Sequence, residues 1–300
     1  MFNKVLVPLD GSELAEAILP YVERFAASLG SRVMLLTVID PDDAAPAAGR
    51  QGETGNGGIG AALSTAAKER LTALTKRLVD HGVSAAFSIS TGIAAEEIVR
   101  VAEAERCDII AMATHGRNML GRGVLGSVTD KVLHSASVPV LTINPRESDS
   151  AQNLRRAEIS KVIVPLDGSE LAERALPFGE EIAGRMSLEL ELVRIVRIGA
   201  SPYMGTVYSP PVYFDEVLQG EAKAYLAEVA KRVAERGLKV NWKVFLGHPS
   251  GTLVDYARET RDEIIVMTTD GRSGLTKWIL GSVAESVVRH TGDAVLIVPS

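Results

Sequence analysis

Four glycines crowd the stretch from Gly116 to Ser127, GRNMLGRGVLGS. Glycine-rich loops of this kind cradle phosphates, because a residue with no side chain lets an anion reach the backbone N–H groups. A Walker A loop needs Gly, four residues, then Gly-Lys-Ser/Thr. Gly116 and Gly121 have the first spacing, but Arg122 and Gly123 follow, so the lysine that would reach the phosphates is missing.

A second copy of the stretch separates what the loop needs from what it happens to carry. HGRNMLGRGVLGSVTDKV from His115 is answered by DGRSGLTKWILGSVAESV from Asp270, and KVLVPLDGSELAEAILP from Lys4 by KVIVPLDGSELAERALP from Lys161. The chain is an internal duplication. Gly116 and Gly126 recur as Gly271 and Gly281, whereas Gly121 and Gly123 become Thr276 and Trp278. The shared pattern is therefore Gly, nine residues, Gly-Ser, with the Gly-Ser opening a helix. A helix start offers free N–H groups and the positive end of the helix dipole, and both attract an anion. Ser127 and Ser282 either cap that helix or bond a phosphate. Arg117 and Arg272, beside the loop glycine in both copies, are either solvated or contacts to the same phosphate. Asp10 and Asp167 precede Gly-Ser at the end of the first strand of each copy. They either help Ser12 and Ser169 cap the next helix, or accept a bond from a ribose hydroxyl or an adenine amino group.

The elements that must position these residues alternate short apolar runs with longer amphipathic ones. In the first copy KVLVPLD, RVMLLTVID, VSAAFSIST, CDIIAMAT and VPVLTIN read as strands. SELAEAILPYVERFAASLG, ALSTAAKERLTALTKRLVDHG, AAEEIVRVAEAER and SVTDKVLHSA read as the intervening helices. Continuously apolar strands are buried on both faces, which implies a parallel sheet between helices. The fold class is α/β, two tandem Rossmann-like domains, each a five-stranded parallel sheet flanked by helices. The expected domains span 1–145 and 161–300, joined by the polar linker 146–160. Ligands in such sheets bind outside the carboxyl ends of the strands, where the glycine loop falls.

Composition narrows the classes. With 46% hydrophobic and 23% charged residues the 300-residue chain is an ordinary globular one, and few aromatics imply a core of Val, Ile, Leu and Ala. A net charge of −6 argues against broad binding to nucleic acid or to anionic membranes. The single cysteine, Cys107, excludes an internal disulfide framework, lies in the apolar run CDIIAMA, and reads as a small buried hydrophobe. No apolar run reaches the roughly 20 residues of a membrane span, and the first residues lack a signal-peptide pattern, so a cytoplasmic protein without membrane insertion is expected.

Together these residues resemble the universal stress protein family in its tandem-domain form. VPLDGSE and the loop spacing are similar to the ATP-binding branch, whose pattern is Gly, two residues, Gly, nine residues, Gly-Ser/Thr. The resemblance covers both copies and nearly the whole chain. It implies an adenine nucleotide alpha hydrolase-like fold, two copies packed as a pseudo-dimer through their fifth strands, and further pairing into a homodimer of tandem chains. It also implies a regulatory role in stress response, with ATP, ADP or AMP as ligand, with or without magnesium. In copy one the nucleotide would be surrounded by Asp10, Val38, Ala113, Gly116, Arg117, Gly126, Ser127 and Val128, with Val38 meeting adenine through its backbone. In copy two the matching positions are Asp167, Ile195, Thr268, Gly271, Arg272, Gly281, Ser282 and Val283.

Two departures bear on this. The first glycine of the family pattern is Ala113 in copy one and the bulkier, stiffer Thr268 in copy two. Asp270 stands where copy one has His115, and a carboxylate beside a polyphosphate repels it unless a cation bridges them. Site one is therefore expected to bind more tightly than site two. After the second strand, copy one is rich in Gly, Ala and Pro, while copy two brings Tyr203, Tyr208, Tyr213 and Phe214 together as an adenine lid, a partner surface or a packed loop. The histidines, His81, His115, His134, His248 and His290, include no pair at metal-ligand spacing, and the copies share no base or nucleophile motif. The expected activity is nucleotide binding with at most slow ATP hydrolysis, the alternative being a nucleotide-independent protein scaffold.

Overall fold

The computed structural model describes residues 1–41, 58–114, 125–144, 159–197, 211–260, 262–269 and 280–299. The chain divides into two compact units, Met1–Ala157 and Glu158–Val298. The first contains β1 (Lys4–Pro8), α1 (Glu13–Glu16), α2 (Leu19–Leu29), β2 (Arg32–Ile39), α3 (Gly58–Asp80), β3 (Ala85–Thr91), α4 (Ala94–Ala104), β4 (Ile109–Ala113), α5 (Ser127–Ser135) and β5 (Val140–Ile143). The second repeats the series as β6 (Lys161–Pro165), α6 (Glu170–Glu173), α7 (Leu176–Met186), β7 (Glu189–Val196), α8 (Pro211–Ala234), β8 (Val240–Leu246), α9 (Pro249–Thr260), β9 (Glu263–Thr268), α10 (Ser282–His290) and β10 (Ala294–Val298).

Within the first unit the strand order is β3-β2-β1-β4-β5, and every pairing is parallel. The second unit has β8-β7-β6-β9-β10, again all parallel. From β1 the chain steps outward through β2 and β3, then returns to the other side of β1 for β4. Right-handed crossovers therefore put α2 and α3 on one face and α4 and α5 on the other. The order reverses between β1 and β4, and between β6 and β9. Those are the points at which a doubly wound sheet leaves a crevice at its carboxyl edge. Val5, Leu6 and Val7, like Val162, Ile163 and Val164, are buried on both faces of the sheet, as the unbroken apolar runs require.

One expectation changes. The first helix of each copy, read as continuous, is two helices: α1 and α6 are single turns, and Pro20 and Pro177 open α2 and α7. Proline has no N–H to donate and a fixed φ, so it restarts a helix more readily than it continues one. Cys107 is buried, as expected, and burial pushes its thiol up to about 11. Among the described residues no helix is long and apolar enough to cross a membrane.

The units differ in packing. Val22 of α2 is fully buried, but Gly179 holds the same place in α7, facing Val164 and Leu190. A Cβ there would lie 2.7 Å from Val164 Cγ2 and 3.4 Å from Leu190 Cδ1. Gly179→Ala is expected to destabilise the second unit by about 1–3 kcal/mol through overpacking, read by denaturant unfolding. An unchanged midpoint would mean that α7 can move away at no cost.

At the amino ends of its strands the second unit also buries a polar cluster absent from the first. The Glu191 carboxylate accepts from the Tyr256 hydroxyl, from Lys161 at 3.3 Å and from Lys243 at 3.1 Å. Burial pushes this carboxyl up, but Tyr256 and the two ammonium groups outweigh it and hold Glu191 below its ordinary value. Nearby Glu263 accepts from Thr260 at 2.6 Å through Oε1, while Oε2 has no hydrogen-bond partner among the described residues. Burial, aided by Asp293, raises Glu263 from the ordinary 4.5 to about 7. The unfolded chain loses this proton near pH 4.5 and the folded one only near pH 7, so this contribution is full below pH 4.5 and is lost as pH rises through 7. Glu263→Gln is expected to remove that slope, so that melting of the variant gains on the native protein between pH 5 and pH 8. Parallel melting profiles would show that Glu263 titrates normally.

Candidate functional site

The crevice at each carboxyl edge is built by two loops. In the first loop, Gly11 (φ 83) and Gly168 (φ 90) take left-handed backbone that favours glycine. The turn is fastened by the preceding aspartate: Asp10 Oδ1 accepts from Ser12 N at 2.9 Å and Ser12 Oγ at 2.6 Å, and Asp167 does the same for Ser169 at 2.9 and 2.6 Å. Ser12 and Ser169 in turn cap α1 and α6, accepting from Ala15 N and Ala172 N at 3.1 Å. The aspartates thus act on the cap through serine, and their carboxylates remain half-buried at the crevice.

The second loop brings the chain back to the strand it left. Gly126 N–H donates to the Thr114 carbonyl at 2.9 Å, and Gly281 N–H to the Thr269 carbonyl at 2.5 Å. Gly126 and Gly281, not the serines, are the N-caps of α5 and α10; Ser127 and Ser282 are the first helical residues. The N-cap residues, being glycines, make no side-chain cap hydrogen bond. The N–H groups of the first turn, which have no partner inside a helix, therefore face the crevice together with the positive end of the dipole. The backbone at both glycines is ordinary, φ −61 and −62. What glycine contributes here is the missing side chain, which leaves the approach to those N–H groups open.

In the second unit these parts line one cavity of about 410 Å³. Asp167, Ile195, Thr268, Gly281, Ser282 and Val283 all line it, together with apolar residues such as Val193, Leu218, Leu253 and Met267. Six of the eight positions expected from the sequence are thus brought together; Gly271 and Arg272 lie outside the described residues. In the first unit Asp10 follows β1, Val38 lies in β2, Ala113 ends β4, and Gly126, Ser127 and Val128 open α5. Gly116 and Arg117 lie outside the described residues there, as do His115 and Asp270. The Ala113 carbonyl accepts from Thr129 Oγ1 at 3.1 Å, a tie that Ala284 cannot make in the second unit. Tyr203 and Tyr208 also lie outside the described residues, and Tyr213 and Phe214 fall in the first turn of α8.

Sequence reasoning did not find Arg194, Leu218, Glu221, Pro249 or Leu253, which also line the cavity. A signal for Arg194 existed, since Thr37 holds its place in the first copy. Leu218 and Leu253 come from helices whose distance in sequence from the loops hides their meeting. Among the described residues no group of three or more His, Cys, Asp or Glu side chains could hold a metal ion. The arrangement has an anion-attracting end at α10, an acceptor end at Asp167 and an apolar middle, which suits a ligand with a charged tail, a flat apolar body and polar edges.

The chain matches the universal stress protein family over residues 1–144 and 158–299, and it belongs to that family. It is 25% identical over 300 residues to a universal stress protein of Mycolicibacterium smegmatis, covering 98% of this chain and 96% of that one. It is 33% identical over 159 residues to the universal stress protein MJ0577 of Methanocaldococcus jannaschii, which spans 49% of this chain and is itself covered to 98%. The crystal structure of a universal stress protein from Archaeoglobus fulgidus aligns with 100% of this chain and 99% of its own, with a TM-score of 0.74 at 22% identity. That likeness shows the shared fold.

The first loop permits a direct check of its backbone. Gly168→Ala is expected to cost about 1–2 kcal/mol, because alanine disfavours the left-handed region and its methyl would press on Arg194, 3.2 Å away. Thermal unfolding of the second unit reads the loss, and an unchanged midpoint would mean that the turn can flip without penalty.

Proposed function

We propose that each unit binds one adenine nucleotide, ATP or its ADP and AMP relatives, and that the protein acts through that binding as a regulatory member of the stress response. The observation that carries the reading is the meeting of Asp167 and the uncapped start of α10 in one cavity of about 410 Å³, within the range of small-molecule sites. Phosphates would lie against the N–H groups of Gly281, Ser282 and Val283, and the base would take the apolar wall by Ile195. Asp167 would accept from the ribose or the adenine amino group. In the first unit the same places belong to Gly126, Ser127 and Val128, with Val38 and Asp10. A magnesium ion would come with the phosphates. The buried, reduced Cys107 fits the cytoplasm as the place of action, with tandem chains paired as a homodimer.

One observation favours the scaffold alternative: Thr268 lines the cavity where the family pattern has glycine. Calorimetric titration of the full chain with ATP separates the two. Two equivalents are expected, one lost in Gly126→Val and the other in Gly281→Val, because a branched side chain at the N-cap covers the first-turn N–H groups. Binding that survives both substitutions, or no binding in the native protein, would contradict the nucleotide reading.

A further inference from the structure

The two units differ by one cation at the crevice. Leu36 of β2 and Val193 of β7 hold equivalent places beside β1 and β6, and the residues that follow them are Thr37 and Arg194. Thr37 turns its hydroxyl to the Leu9 carbonyl at 3.0 Å. Arg194 lines the cavity. Its guanidinium carbon lies 4.9 Å from the centre of the Tyr225 ring, and a Cβ on Gly168 would meet its nitrogens at 3.2 and 3.3 Å. The group is therefore laid between α8 and the loop that follows Asp167, half-buried and fixed by stacking.

The surrounding exchange frees it. Twelve residues before Gly82 and Gly237, the left-handed glycines that follow the two long helices, stand Arg70 and Tyr225. Arg70 is committed to Glu16, at 2.6 Å. In the second unit Glu173 takes the place of Glu16, and it accepts from the Tyr225 hydroxyl at 2.8 Å and from Arg232 at 2.9 Å. Arg194 consequently makes no ion pair among the described residues. A stacked guanidinium that makes no ion pair among the described residues, although Asp167 and Glu221 line the same cavity, is a prepared receptor for an anion, and its planar fork matches a phosphate.

Its place defines which anion. β6 lies between β7 and β9, whose end carries the start of α10, and the guanidinium lies beside Gly168, so Arg194 enters the cavity at its Asp167 end. It neighbours Asp167, whose Oδ1 is turned into its own loop by Ser169. At the ribose edge of a nucleotide site a carboxylate alone accepts from a hydroxyl, whereas an arginine accommodates a phosphate on the ribose.

We propose that the second cavity selects an adenine nucleotide carrying a phosphate on its ribose in addition to the 5′-phosphate, with Arg194 as the receptor. The inference rests on the nucleotide reading above. The first unit, with Thr37, takes the plain nucleotide.

The test is calorimetric titration of the full chain with AMP, adenosine 2′,5′-bisphosphate and adenosine 3′,5′-bisphosphate. One bisphosphate is expected to bind one equivalent at least tenfold more tightly than AMP. Arg194→Thr, which restores the first unit's residue, is expected to abolish that preference, so that the bisphosphate and AMP bind the variant with equal affinity. Arg194→Gln keeps much of the stacking without the charge, and is expected to lose the preference equally. Equal affinities in the native protein, or a preference that survives both variants, would overturn the inference and leave the nucleotide reading standing. No heat from any of the three would overturn both.

Discussion

The carboxyl edge of each unit depends on one backbone hydrogen bond, made twice: Gly126 N–H to the Thr114 carbonyl, and Gly281 N–H to the Thr269 carbonyl. Each closes a long loop onto the strand end from which it departed. The consequence is positional. A helix that starts at this point begins on the carboxyl edge of the sheet, beside the reversal in strand order, and its first-turn N–H groups have no intrahelical partner and no cap from the side chain of the N-cap glycine. The aspartate of the neighbouring loop faces the same crevice because its own turn is tied by Ser12 or Ser169. An anion-attracting end and an acceptor end are thus held apart by the sheet itself.

On that common frame the units have diverged in two separate regions. At the carboxyl edge, Thr37 and Arg70 have become Arg194 and Tyr225, and Ala113 is answered by Thr268. These exchanges change charge and room in the crevice. At the amino edge, the second unit has acquired the buried Glu191, Tyr256, Lys161 and Lys243 cluster, with Glu263 protonated into the neutral range. That cluster lies at the opposite end of the strands from the cavity, so its pH dependence concerns stability and leaves the crevice chemistry to other groups. Duplication lets one sheet edge be altered without altering the other.

Much of this was legible in the sequence, and for identifiable reasons. Strands buried on both faces show as unbroken apolar runs such as VLV and DIIAMA, and their alternation with amphipathic stretches sets the fold. The second copy then told Gly116 and Gly126 from Gly121 and Gly123. Three things escaped. Pro20 and Pro177 split helices whose apolar period runs straight through them. Of the two readings open for Ser127 and Ser282, cap or phosphate contact, the capping one fails, because the hydrogen bond back to the strand makes the preceding glycine the cap. Arg194 was passed over because an arginine in a strand says nothing of its surroundings until Tyr225, Gly168 and Glu173, far apart in the chain, are seen around it. The same comparison of copies that sorted the glycines would have marked it.

The central claim is that the uncapped helix starts and their crevices hold adenine nucleotide. The most direct measurement is to denature the freshly purified protein, separate what it releases, and identify and quantify it by chromatography and mass. One or two equivalents of adenine nucleotide per chain is the result expected. Protein that releases none, and that shows neither heat nor stabilisation when ATP is then added, would contradict the claim.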